Sequence, residues 1–200
     1  MRVKVHMKEK FLKLQNRPSF SSEDAKKCGV STRMLTYYVN KGTLRRLAHG
    51  LYSFSTYIPK DEFIKWEDLA IAASNIPDGV ICLISALNYY ELTDEMMNEF
   101  WIAVPNANSK SNFPMSRIVR MRNTTLGVKE ITLAGMKVKI FDIERTIIDS
   151  FKLLDFETAM KALKLYLSGK KTKVDLKKLN RYIKELRASK VKNYVLAVTA

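Results

Sequence analysis

The 200-residue chain carries 35 Lys and Arg against 20 Asp and Glu, a formal net charge of +15, and 46 % of its residues are hydrophobic. That is ample for one or two packed cores, whereas the most apolar run, Val80 to Leu87, is far too short to span a bilayer. The opening residues MRVKVHMKEK lack the apolar core of a secretion signal, and Cys28 and Cys82 show no paired-ligand spacing. The expectation is a cytoplasmic protein with reduced thiols and no membrane association.

The charge is unevenly spread. Residues 1–56 hold 12 Lys and Arg against 3 Asp and Glu, residues 57–168 hold 13 against 15, and residues 169–200 hold 10 against 2. Two basic ends around a near-neutral centre point to surfaces that attract polyanions.

A first helix is expected over residues 3–15, with Val3, Met7, Phe11 and Leu14 inward and Arg17-Pro18 as its stop. Ser22 can cap a second helix, which Gly29 ends. Ser31 caps a third, starting at Thr32, and Gly42 ends it. In this helix Leu35, Tyr38 and Val39 share one face. The opposite face carries Thr32, Arg33, Thr36, Tyr37 and Asn40, the residue types that grip bases and phosphates in a major groove. Leu44–Ala48 and Leu51–Phe54 then form a hairpin around His49-Gly50, with Arg45 and Arg46 as the cations of a small wing. Residues 1–56 therefore read as a winged helix-turn-helix domain.

Residues 57–200 read as a second, mixed α/β domain, giving an α+β chain overall. A helix is expected from Glu62 to Asn75, a turn at Pro77-Asp78-Gly79, and a buried helix within Val80 to Glu91. Strands follow at Phe100–Val104, Ile118–Arg122, Lys129–Leu133 and Met136–Phe141, with Asn106 to Pro114 as a polar loop and Ala134-Gly135 as a tight hairpin turn. They suggest a small, mainly antiparallel sheet. Asp142 caps the next helix, and further helices are expected at 156–167, 175–188 and 191–199. In the helix from Asp175, Leu176, Leu179, Ile183 and Leu186 form the inward stripe. Lys177, Lys178, Arg181 and Lys184 point away, and Lys170, Lys171 and Lys173 precede them, a second basic surface or simply a solvated face.

Catalytic constellations are lacking. Two histidines, His6 and His49, supply neither a triad nor a His-rich metal site, and the seven glycines form no phosphate-binding loop. Asp142, Glu144 and Asp149 are better read as a helix cap, a carboxylate at the positive end of a helix dipole, and an ion-pair partner for Arg145. No enzyme activity, metal or cofactor is expected.

With these residues laid out, the chain resembles the AbiEi family, the antitoxins and transcriptional regulators of bacterial type IV toxin–antitoxin systems. The resemblance runs through GVSTRMLTYYVNKGTLRRLAHGLYSF, ISALNYYELTDE, FWIAVP and GMKVKIFDIERTIIDSF. It implies an amino-terminal domain that binds inverted repeats in its own promoter. It also implies a carboxy-terminal domain that counteracts a nucleotidyltransferase-like toxin without requiring a stable complex. On this reading Arg33, Thr36, Tyr37 and Asn40 approach bases, Ser31, Thr32, Lys41, Arg45 and Arg46 hold phosphates, and His49 lies at the wing tip. The alternative is a winged-helix regulator whose second domain binds a ligand or dimerises. A DNA-targeted nuclease is weaker, since it needs clustered carboxylates with a lysine.

Overall fold

The computed structural model describes residues 9–59, 66–107 and 113–199. The beginnings of the helices expected at 3–15 and 62–75, and most of the polar loop at 106–114, lie outside these residues. The chain divides into two compact units, residues 1–71 and 72–200, the division falling within a helix.

The amino-terminal unit opens with α1 (Glu9–Leu12), which tightens into a 3-10 turn over Lys13–Asn16. A short strand β1 (Phe20–Ser21) leads into α2 (Ser22–Lys27) and α3 (Thr32–Asn40). The hairpin β2 (Leu44–Ala48) and β3 (Leu51–Phe54) completes it, with β1 pairing onto β3 to give a three-stranded sheet. This is a winged-helix-like arrangement.

Ser21, not Ser22, caps α2. Its hydroxyl accepts from the Asp24 N–H at 3.1 Å, and the Asp24 carboxylate accepts from the Ser21 N–H, also at 3.1 Å. The choice between adjacent serines follows from Asp24 standing three residues after Ser21, the capping-box spacing. The backbone bond from Ser21 is the main cause holding the Asp24 carboxyl below its ordinary value. The sign follows: this contribution is present above the unfolded value near 3.8 and is lost as pH falls through the lowered folded value.

Phe11, Phe20 and Phe54 form the centre of the unit's core, with ring centroids 5.2 to 5.6 Å apart, and Leu35 and Tyr38 bring the inner face of α3 onto it. Gly29 and Gly42 follow α2 and α3 at φ 77° and 72°, where a β-carbon would be strained.

The helix α4 (Glu67–Asn75) carries the chain into the second unit, where β4 (Val80–Ile81), α5 (Leu83–Tyr89), β5 (Phe100–Pro105), β6 (Ser116–Met121), β7 (Val128–Leu133) and β8 (Met136–Phe141) follow. Then come α6 (Ile143–Leu153), α7 (Phe156–Leu167), α8 (Leu176–Glu185) and α9 (Ser189–Thr199). The five strands run in the order β6-β5-β4-β8-β7.

The sheet is evenly mixed rather than mainly antiparallel. β5–β6 and β4–β8 are parallel, whereas β4–β5 and β7–β8 are antiparallel. At the centre lies β4, a two-residue strand where the sequence suggests only the start of a buried helix. Its Ile81 sits in register with Ile102 and Ile140, and Ile118 extends the row, so one face carries four isoleucines across four strands. The β7–β8 turn uses Ala134 and Gly135 at φ 48° and 77°, a two-residue hairpin with both positions left-handed.

Candidate nucleic-acid interface

The sequence of α3 separates its two faces. Leu35 and Tyr38 are buried, while Thr32, Arg33, Thr36, Tyr37 and Asn40 are exposed. Arg33, Tyr37 and Asn40 stand at i, i+4 and i+7, one above another along a single stripe. The Ser31 hydroxyl accepts from the Met34 N–H at 3.4 Å and starts the helix. The Thr36 hydroxyl donates back to the Thr32 carbonyl at 3.2 Å, which holds it against the helix. Lys41, also exposed, places its ammonium 5.8 Å from the Tyr37 ring centroid. The stripe therefore combines a fork-shaped cation, a phenol and an amide, all open to solvent.

The wing is less symmetrical than its arginine pair suggests. Arg45 and Arg46 are both exposed and pair across the ribbon with Ser53 and Tyr52. As consecutive strand residues they point to opposite sides, so they cannot both face the same row of phosphates. Arg45 acts on the Glu67 carboxyl, whose value burial pushes up and whose rise Arg45 partly offsets. Arg46 donates from Nε to the Ala48 carbonyl at 3.4 Å, across the bulge that precedes the turn. His49 is exposed at that turn.

All ten residues expected at a DNA interface are thus on the surface. Lys26 is also exposed, lining a cleft of about 450 Å³ with Glu23, Ser31 and Thr32 at the start of α3. The only sequence signal for it was the surplus of positive charge in this region.

In the second unit the basic face of α8 is narrower than expected. Lys177, Lys184 and Arg181 are exposed, Arg181 pairing with Glu185 at 3.7 Å. Lys178 turns inward and meets Asp142 at 2.8 Å and Glu144 at 3.0 Å. Helical spacing placed it on the polar side, but carboxylates on another element claim it. Lys171 pairs with Glu91, and Lys170 and Lys173 are exposed. Leu176 is 41 % exposed, and Tyr182 takes its place in the buried stripe.

These carboxylates belong to a buried network at the start of α6. Asp142 caps the helix and accepts from Arg145 N–H at 3.0 Å and from the Tyr182 hydroxyl at 3.0 Å. Glu144 accepts from the Tyr166 hydroxyl at 3.0 Å. Arg145 donates to Asp149 at 2.6 Å and to the Asn123 and Leu126 carbonyls at 2.9 and 3.2 Å. Burial pushes the Asp149 carboxyl up, against the pull of Arg145. Burial also works against the Lys178 charge, but the bonds to Asp142 and Glu144 outweigh it and raise that group. Every charged member has a partner, as expected of structural carboxylates. Among the described residues no group of three or more His, Cys, Asp and Glu is arranged to hold a metal, and no helix is long and apolar enough to cross a membrane.

Residues 10–55, which contain α2, α3 and the wing, match the model of the family described as the transcriptional regulator AbiEi antitoxin. The segments of the second unit that resemble the same family lie outside this match. No curated protein matches the chain.

Proposed function

From the amino-terminal match to the AbiEi antitoxin regulators, we propose that this protein is a DNA-binding autorepressor and antitoxin of a bacterial type IV toxin–antitoxin system. The observation that carries the DNA-binding half is the exposed stripe of Arg33, Tyr37 and Asn40 on α3, whose other face is locked into an aromatic core. An arginine can grip guanine and an asparagine adenine, each through two hydrogen bonds. Residues 1–56 form the winged helix-turn-helix and bind inverted repeats in the promoter, with Ser31, Thr32, Lys41, Arg46 and His49 at the backbone and Arg45 on the other side of the wing. Residues 57–200 counteract a nucleotidyltransferase-like toxin in the cytoplasm and perform no catalysis. The exposed cations Lys170, Lys173, Lys177, Arg181 and Lys184 offer the second domain a surface for a polyanion.

The two activities should separate. With its own promoter driving a reporter, and in cells expressing the toxin, the Arg33→Ala, Asn40→Ala double variant should lose repression and keep rescue. A fragment of residues 1–71 should keep DNA binding and give no rescue. Rescue by the fragment, or loss of both activities in the double variant at unchanged protein level, would overturn this division.

A further inference from the structure

A groove of about 340 Å³ in the second unit lies between the end of α6, the start of α7 and the α8–α9 corner. Its volume is in the range of small-molecule sites, roughly 300–1,000 Å³. Three rings meet there. Phe151 and Tyr194 stack with centroids 5.1 Å apart and an interplanar angle of 24°, and Phe156 stands edge-on to Tyr194 at 5.1 Å. A ring of this size normally hides in a core, yet Phe156 is 56 % exposed.

Three cations rim these rings: Lys152, Arg187 and Lys190. The Lys152 ammonium donates to the Leu186 carbonyl. Arg187 and Lys190 are exposed and have no carboxylate partner among the described residues. The nearest acidic side chains in sequence are Glu185, which pairs with Arg181 at 3.7 Å, and Asp155, which accepts from the Thr158 N–H at 2.8 Å. The groove also borders the first turn of the eleven-residue α9, which contains no acidic residue. The positive end of this helix dipole adds to the potential.

An aromatic surface beside unpaired cations asks for one ligand with both a planar π-face and a negative charge. We propose that this groove takes a single unpaired nucleotide, its base against Phe156 and Tyr194 and its phosphate at Arg187, Lys190 and the start of α9. Base–aromatic stacking next to a cationic track is how proteins hold unpaired nucleotides with little sequence preference. A free nucleotide and an unstacked base within a strand supply the same chemistry. This site belongs to the second unit and does not depend on the assignment of the α3 stripe to duplex DNA.

The test titrates the full chain with ATP, with a short single-stranded oligo(dA), and with an abasic oligomer of the same phosphate count. The Phe156→Ala and Arg187→Ala variants are run beside the wild type. Phe156 is exposed enough for its loss to leave the fold intact, and an unchanged urea midpoint of residues 72–200 checks this. Phe156→Ala should weaken ATP or oligo(dA) binding by roughly 5- to 150-fold, and 8-azido-ATP should label a peptide containing Phe156 or Tyr194. Tight ATP binding supports the proposal with a free nucleotide as the ligand. Binding of oligo(dA) alone supports it with an unpaired base in a strand. An abasic oligomer bound as tightly as oligo(dA) reduces the groove to a phosphate patch and overturns the proposal. So does an unchanged affinity in Phe156→Ala, or no binding of either probe at millimolar concentration. Binding of an acidic amphipathic peptide without nucleotide binding, lost in Phe156→Ala, overturns it in favour of a protein partner.

Discussion

Arg145→Ala is expected to remove about 3–5 kcal/mol from the stability of residues 72–200, the cost of leaving a buried charge without its partner. The side chains of Arg145 and Asp149 are only 3 % and 5 % exposed. Removing the guanidinium strands the Asp149 carboxylate and also the Asn123 and Leu126 carbonyls it holds. Such a loss is a large part of a typical domain's stability, so the urea midpoint of this unit should collapse while that of residues 1–71 holds. The deficit should be greatest at neutral pH. Asp149 is raised by burial, and a carboxyl raised in the folded state gains stability as pH falls through that value. Adding Asp149→Leu should recover part of the loss, because an apolar pair can replace a buried ion pair. It should not recover all of it, since the two carbonyls remain unbonded.

Lys178→Met should cost about 3 kcal/mol, toward the lower end for a broken buried pair, because the lysine side chain is 24 % exposed. It leaves Asp142 and Glu144 without their shared cation. Each keeps a tyrosine hydroxyl, so the network is weakened rather than emptied. The lysine is raised in the folded state, and its contribution should therefore be present below its ordinary value and vanish as pH rises through the raised one. Adding Glu144→Gln should restore part of the stability. If Lys178→Met unfolds like the wild type, Lys178 is a solvated surface cation after all.

The amino-terminal unit was legible because its punctuation is local. Ser31 and the glycines at 29 and 42 fix both ends of α3 within a few residues, and the His49-Gly50 turn sets the wing, so the solvent-facing side chains could be chosen before any packing was known. The Asp142 cap and the Arg145–Asp149 pair were readable for the same reason, lying three and four residues apart. The two-residue strands β1 and β4 were not readable, since two residues carry no alternation. β4 joins a parallel neighbour to an antiparallel one, and no local signal in the sequence reports which strands flank it. Lys178 escaped for a different reason. Its place on the polar side of α8 is correct by spacing, but its partners are 36 and 34 residues away in sequence.

If the outer face of α3 reads DNA sequence, Arg33 is the side chain whose loss should show it. The full chain and its Arg33→Ala variant would be titrated with the promoter duplex and with a scrambled duplex over a range of salt concentrations. The variant should lose about 1–3 kcal/mol on the promoter. Little loss is expected on the scrambled duplex, with an unchanged salt slope. Equal loss on both duplexes, with the slope reduced by about 0.9, would make Arg33 a phosphate contact and contradict the claim. No loss on either duplex would contradict it as well.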